Sequence, residues 1–153
     1  MAMTIDVPGR GILTICHVVF DFNGTLAQDG RIETKTVTQL QELKRQYQVM
    51  IATADTFGTA AAVAKDLGLS LQVVKSGRDK EALVQRISSG VAAVGNGVND
   101  QWMFKVADLA IAVLGPEGTS VKALAAADIV VPSIDVALGL FLTPNRLIAT
   151  LRE

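Results

Sequence analysis

The chain has 153 residues and a formal net charge of −1; half of its residues are hydrophobic and 19% are charged. This composition excludes an intrinsically disordered chain, and the near-zero charge argues against a broad nucleic-acid-binding face. The single cysteine, Cys16, excludes an intrachain disulfide framework, and no apolar run approaches the roughly 20 residues that span a bilayer. We therefore expect a cytoplasmic protein of one domain, residues 1–153, without a signal peptide and without nucleic-acid or membrane partners.

Short hydrophobic strands alternate with helical segments along the chain. Two extended runs around Pro8 and Gly9 predict a hairpin, which forms an N-terminal extension over residues 1–17. Strands are then predicted at 18–22, 49–52, 71–74, 91–94, 109–114 and 129–131. One helix is predicted to begin at 34, and a short one is predicted to end at 106. Further helices are predicted at 59–67, 79–88, 119–126, 133–142 and 144–152. This alternation indicates an α/β fold, a three-layer Rossmann-like arrangement with helices on both faces of a mostly parallel sheet.

Polar residues follow several of these strands. Ligands of such sheets bind beyond the carboxyl ends of the strands, so these residues form the candidate site. The segments are DFNGTL at 21–26, IATADT at 51–56, the helix start around Lys80, and GNGVND at 95–100. Asp21, Thr53, Lys80 and Asp100 lie 32, 27 and 20 residues apart. Each of these residues therefore lies at the next predicted strand end or helix start along the chain. Because parallel strands end at the same edge of a sheet, the four residues are expected to lie together there.

Each residue type suits phosphate or metal chemistry, although each also has a simpler explanation. Asp21 can attack an electrophile or hold a cation, and Gly24 permits a sharp turn after it. The Thr53 hydroxyl can donate to a phosphate oxygen. A lysine that opens a helix opposes the helix dipole, which raises the chance that Lys80 serves another purpose. The alternatives are turn residues for Asp21 and Asn23, helix caps for Thr53, Asp55, Asn99 and Asp100, and solvated side chains for Arg78 and Lys80.

Taken together, the four segments resemble the motifs of the haloacid dehalogenase superfamily of aspartyl-phosphate phosphatases and phosphotransferases. DFNGTL is similar to D-x-D-G-T-L, IATADT to the T-G-D segment of P-type ATPases, Lys80 to the third-motif lysine, and GNGVND to G-D-G-x-N-D. The resemblance covers roughly residues 18 to 132, and the type it matches most is a small soluble P-type-ATPase-like phosphatase. It implies a fold without a substantial cap domain, because residues 26–33 leave room only for a small flap.

The resemblance also implies roles for particular residues. Asp21 would be the nucleophile that forms an aspartyl phosphate, with Asn23, Thr53 and Lys80 as the other catalytic positions. The phosphate would be bound by Thr53, Ala54, Lys80 and Gly24. Magnesium would be the cofactor, held by Asp21, the backbone carbonyl of Asn23, Asn96 and Asp100.

Two positions depart from the family pattern. Asn23 replaces the usual acid–base aspartate, and an amide cannot shuttle a proton. Asn96 replaces a metal-binding aspartate; it keeps an oxygen ligand but loses a negative charge, which weakens metal binding. We expect a slow magnesium-dependent phosphatase that prefers small substrates with good leaving groups, such as aryl or acyl phosphates. The alternative is a weak or inactive module that binds a phosphorylated ligand or a metal.

A capless site in this superfamily is often covered by a neighbouring subunit. A homo-oligomer, either a dimer or a tetramer, is therefore an alternative to a monomer. A phospho-acceptor receiver domain is the third and least favoured class. Such a domain would place its acceptor aspartate at the end of the third strand, where this sequence has none.

Overall fold

The computed structural model describes residues 2–54, 58–87 and 90–153. Within them, six strands form one parallel sheet, ordered β5-β4-β3-β6-β7-β8. Its strands are β3 His17–Phe20, β4 Gln48–Thr53, β5 Ser70–Val73, β6 Val91–Gly95, β7 Leu109–Val113 and β8 Ile129–Val131. An antiparallel hairpin precedes it, with β1 Met3–Val7 and β2 Gly11–Ile15. The predicted α/β class with a mostly parallel sheet is confirmed.

Helices cover both faces of the sheet. They are α1 Thr34–Leu43, α2 Thr59–Leu67, α3 Gly77–Arg86, α4 Gln101–Val106, α5 Val121–Ala126, α6 Ile134–Leu142 and α7 Pro144–Leu151. One core cluster joins the hairpin, α1, α2, α6 and α7 to the sheet, and a second joins α3, α4 and α5 to its other face. None of the described helices alone is long and apolar enough to span a membrane; α6 and α7 meet that test only as a pair bent by 104°.

The central strands are apolar on both sides because both sides are covered. Along β3, Val18 and Phe20 enter the first cluster and Val19 enters the second, as the two-residue period of a strand requires. All residues of β6 and β7 are buried. Strand β5, at the edge of the sheet, is mostly exposed. The polar residues of the candidate site therefore lie where the buried strands end.

Several boundaries differ from the sequence-based expectation. Strand β3 ends at Phe20 rather than at residue 22, although the Asp21 N–H still donates to the Val94 carbonyl at 2.9 Å. Helix α5 begins at Val121 rather than at residue 119, because the Ser120 hydroxyl accepts a hydrogen bond from the Lys122 N–H and caps it. Asp55 lies outside the described residues, so its role as a helix cap stays a prediction.

Residues 26–33 form a short turn. Isolated bridges join Asn23 to Ala27 and Gln28 to Arg31, and Asp29 has a positive φ of 51° at the tip. The turn contains no regular strand or helix. The division of the chain into one domain with an extension and a flap stays a prediction.

Candidate active site

Three charged side chains meet at the carboxyl edge of the sheet. The Lys80 Nζ donates to Asp21 Oδ1 at 2.9 Å and to Asp100 Oδ1 at 2.7 Å. The side chains of Lys80 and Asp100 are fully buried, and that of Asp21 is 11% exposed. Asp21 follows β3, Lys80 lies in the first turn of α3, and Asp100 follows β6. The fold thus joins three of the predicted site residues, and of their side chains only that of Asp21 reaches solvent.

Local structure explains why Lys80 points inward. Helix α3 begins with a capping box, in which the Ser76 hydroxyl accepts from the Asp79 N–H and the Asp79 carboxylate accepts from the Ser76 N–H. Gly77 lies so close to the segment after β6 that a Cβ there would be 2.5 Å from both the Asn99 carbonyl oxygen and Trp102 Cδ1. This close packing brings the first turn of α3 against Asp100. The two carboxylates and the capping box offset the unfavourable dipole at a lysine in this position.

Asp100 is held by backbone as well as by Lys80. Its Oδ2 accepts hydrogen bonds from the N–H groups of Asn96 and Gly97 at 2.9 and 3.0 Å. It occupies the N-cap position of α4 but makes no side-chain cap there. A buried carboxylate that already accepts three hydrogen bonds is suited to holding Lys80. Its predicted role as a metal ligand stays a prediction.

The charges of this cluster alter the acidity of its members. Burial, and then the negative charge of Asp100, raise the pKa of Asp21 to about 7, against the opposing effect of Lys80. Burial lowers the pKa of Lys80, but Asp21 and Asp100 together outweigh it, so the pKa of Lys80 is raised. Two carboxylates around one ammonium group leave the ionised cluster with a net charge of −1, which favours the approach of a cation at Asp21.

The loop after β3 turns sharply behind Asp21. Gly24 has a φ of +77°, and a Cβ there would lie 2.4 Å from Asn96 Nδ2, so glycine is required on both grounds. The Thr25 hydroxyl, which is buried, donates to Asn96 Oδ1 at 3.1 Å. Asn23 is exposed beside this turn. The sequence reasoning missed Thr25 as a site residue, although it belongs to the DFNGTL segment.

The second predicted segment also reaches this edge. Thr53 ends β4 and is 2% exposed, and its carbonyl oxygen accepts from the Val74 N–H at 2.9 Å. Ala54, which follows it, is exposed. Thr53 is therefore the last residue of the strand adjacent to β3, and Ala54 follows it; their phosphate binding stays a prediction.

The oxygen donors at this edge suit a weakly held divalent cation. Asp21 binds Lys80 through Oδ1, which leaves its second oxygen outside that bond. Two of the other predicted ligands, the Asn23 carbonyl and Asn96 Oδ1, are neutral oxygens, and the third, Asp100, already accepts three hydrogen bonds. No group of three or more His, Cys, Asp or Glu side chains that could hold a metal occurs in the described parts of the chain. One carboxylate with neutral oxygens and water fits magnesium, which retains several waters, but with low affinity.

Arg78 and Trp102 have a structural explanation. The Arg78 guanidinium lies 3.5 Å from the centroid of the Trp102 ring and forms an ion pair with Glu81 at 3.2 Å. The Lys105 ammonium lies 4.4 Å from the same ring. These contacts join the surfaces of α3 and α4 and give Arg78 a structural role.

Comparisons with known proteins find related sequences. The family model of the haloacid dehalogenase-like hydrolases matches residues 18–77. An uncharacterized protein of Methanocaldococcus jannaschii is 49% identical over 63 residues, which are 41% of this chain and 68% of that protein. A copper-transporting P-type ATPase of Rhizobium leguminosarum bv. viciae is 36% identical over 109 residues, which are 65% of this chain but 13% of the ATPase.

Solved structures show the same fold. The 3-deoxy-D-manno-octulosonate 8-phosphate phosphatase of Moraxella catarrhalis, in complex with magnesium, phosphate and KDO, matches with a TM-score of 0.70. The match has 22% identity and covers 90% of this chain and 94% of that one. The resemblance found in the four segments is therefore confirmed, and the chain belongs to the haloacid dehalogenase superfamily.

Proposed function

We propose that this protein is a slow magnesium-dependent phosphatase that works through an aspartyl phosphate on Asp21. The observation that supports this most directly is the buried cluster in which Lys80 bridges Asp21 and Asp100. Such a cluster is costly to bury, and a fold gains little stability from it. Its arrangement does leave one partly exposed carboxylate, fixed in position and suited to attack on phosphorus.

The proposed reaction has two displacements at phosphorus. The Asp21 carboxylate attacks the phosphoryl group, the bond from phosphorus to the leaving oxygen breaks, and that oxygen departs with the electron pair as an anion. A water molecule then attacks the phosphorus of the aspartyl phosphate, which releases inorganic phosphate and restores the carboxylate. Lys80 fixes the attacking carboxylate and offsets negative charge, with Thr53, Ala54 and Gly24 beside the phosphoryl oxygens. Bound magnesium would neutralise phosphoryl charge.

The leaving group defines the substrate class. An exposed amide at Asn23 supplies no proton, so the departing oxygen must be stable as an anion. Aryl and acyl phosphates meet this condition, and alkyl phosphomonoesters do not. We therefore propose small aryl or acyl phosphates as substrates.

A second candidate is a module that binds a phosphorylated ligand or a metal without turnover. The feature that favours it is the pair of amides, Asn23 and Asn96, where the family pattern has acids. The retained Asp21 argues against it, since a binding module has no need of a fixed nucleophile. The cytoplasmic location and the dimer or tetramer stay predictions under both candidates.

The proposal is tested by p-nitrophenyl phosphate hydrolysis with and without magnesium. We expect magnesium-dependent turnover in the wild type, loss of turnover in Asp21→Asn, and wild-type turnover in Asp66→Asn, which removes an exposed carboxylate from α2. No turnover at saturating magnesium would favour the binding module. Equal turnover of aryl and alkyl phosphomonoesters would contradict the proposed substrate class.

A further inference from the structure

Asn96 connects three loops at the catalytic edge. Its backbone N–H donates to Asp100 Oδ2 at 2.9 Å, and its backbone carbonyl accepts from the Ser120 N–H at 2.8 Å. Its side-chain Oδ1 accepts from the Thr25 hydroxyl at 3.1 Å, and its Nδ2 donates to the Gly118 carbonyl at 3.0 Å. Each of its four polar groups thus has a partner, and the residue is only 8% exposed.

The side-chain contacts require an amide. A carbonyl oxygen can only accept a hydrogen bond, so the nitrogen of Asn96 must face Gly118 and the oxygen must face Thr25. An ionised aspartate would place an acceptor against the acceptor of Gly118 and lose that hydrogen bond. The asparagine in GNGVND therefore has a structural reason that is separate from metal binding.

The loop that Asn96 holds lies beside the nucleophile. Residues 114–118 follow β7, and a Cβ on Gly115 would lie 3.4 Å from the Gly24 carbonyl oxygen, in the turn after Asp21. Within this loop the Gly118 N–H donates to the Gly115 carbonyl at 2.9 Å, so the loop is itself a closed turn. Fixing Gly118 therefore fixes the whole loop against Gly24.

We propose that Asn96 is a positioning residue, whose side-chain amide fastens the loop at 114–118 to the nucleophile loop and sets it as one wall of the phosphate site. The role of this loop as a wall of the phosphate site rests on the proposed function. The two side-chain hydrogen bonds by which Asn96 joins the loops, here called the clamp, do not depend on it, because they belong to the folded chain. The two parts of the proposal therefore need separate measurements.

The clamp is tested by hydrogen–deuterium exchange without metal, in Asn96→Asp, Thr25→Val and Thr25→Ser. We expect the hydrogen-bonded amides of Gly118 and Ser120 to exchange about ten-fold faster in Asn96→Asp, the factor for one lost buried hydrogen bond, while the β1–β2 hairpin is unchanged. Thr25→Val should show a smaller increase, and the conservative Thr25→Ser should restore wild-type exchange. Exchange within about two-fold of wild type in both Asn96→Asp and Thr25→Val would overturn the clamp.

Two further readouts keep the test decisive. If Asn96→Asp does not fold, Thr25→Val decides alone, with the same threshold. The wall is tested by p-nitrophenyl phosphate kinetics of Thr25→Val, in which KM should rise about ten-fold while kcat changes little. A fall in kcat with an unchanged KM would overturn the wall. If the wild type has no turnover, the dissociation constant of inorganic phosphate replaces KM, and failure of the proposed function is then distinguished from failure of the wall.

Discussion

The two ends of the central sheet are built from different chemistry. At the carboxyl end the buried side chains are polar: Asp21, Thr25, Thr53, Lys80, Asn96 and Asp100. At the amino end the hairpin contributes buried apolar side chains: Met3, Ile5, Val7, Leu13 and Ile15. Arg10 ties the hairpin to the segment before β7 by donating to the Asp108 carbonyl at 3.0 Å.

This difference confines reactivity to the carboxyl end of the sheet. Buried ion pairs contribute little net stability because desolvation opposes their attraction, but they fix charged groups in place. Buried apolar surface stabilises a fold in proportion to its area and holds no reactive group. Substitutions at the two ends should therefore have different signatures in activity and unfolding. The following variants test that separation.

Lys80→Met should have the largest effect, because it leaves Asp21 and Asp100 buried without a positive charge between them. We expect loss of p-nitrophenyl phosphate turnover and a free energy of unfolding lower by about 3–5 kcal/mol. Urea denaturation and the phosphatase assay measure the two quantities. Lys65→Met, on the exposed side of α2, is the matched control. A variant as stable as the wild type at pH 8 would contradict the assigned role of Lys80.

Ile15→Ala should reduce stability without altering the chemistry. Ile15 is fully buried in the hairpin, so its truncation should lower the free energy of unfolding by about 2–5 kcal/mol. Ile15→Val should cost about 0.5–1.5 kcal/mol. Turnover per folded molecule, measured below the unfolding transition, should equal that of the wild type. A fall in kcat for folded Ile15→Ala would break the separation between the two ends.

Asn23→Asp should raise activity with little change in stability, since Asn23 is exposed. A carboxyl group there can donate a proton to the leaving oxygen and accept one from the attacking water. We expect the aspartyl phosphate to hydrolyse up to about 10²-fold faster, as measured in single-turnover experiments. Asn145→Asp, exposed in α7, provides the control for added charge. No change, or a slower rate, would show that Asn23 does not limit the reaction.

The last prediction concerns pH. Because the pKa of Asp21 rises from 3.8 to about 7 on folding, the folded state retains a proton that the unfolded state releases. The stability that this proton contributes is present at low pH and is lost as the pH rises through about 7. Without metal, the free energy of unfolding of the wild type should thus fall relative to that of Asp21→Asn between about pH 4 and 7, as measured by urea denaturation at a series of pH values. Parallel stability curves would contradict the raised pKa.

Much of the architecture was predictable because it depends on local patterns. Buried parallel strands need apolar residues on both faces, which produces runs such as Val91–Gly95 in the sequence. Helix α2 ends at Leu67 and is capped by Gly68, whose positive φ of 66° suits glycine; both bounds of the helix were predicted. Asp21, Thr53, Lys80 and Asp100 were predicted to lie at one edge, since successive parallel strands end on the same side.

The class of fold, the edge of the sheet that carries the candidate site and the residues at that edge therefore followed from the sequence alone. How these residues share hydrogen bonds depends on the tertiary structure. Asp100 holds Lys80 rather than capping α4, because β3 and β6 are neighbours in the sheet and α3 packs against the segment after β6. Asn96 binds Gly118, 22 residues away, through a backbone carbonyl. Every residue type has a backbone carbonyl, so no sequence pattern can indicate which one accepts this hydrogen bond. Only the packing of the loops brings the Gly118 carbonyl within reach of the Asn96 amide.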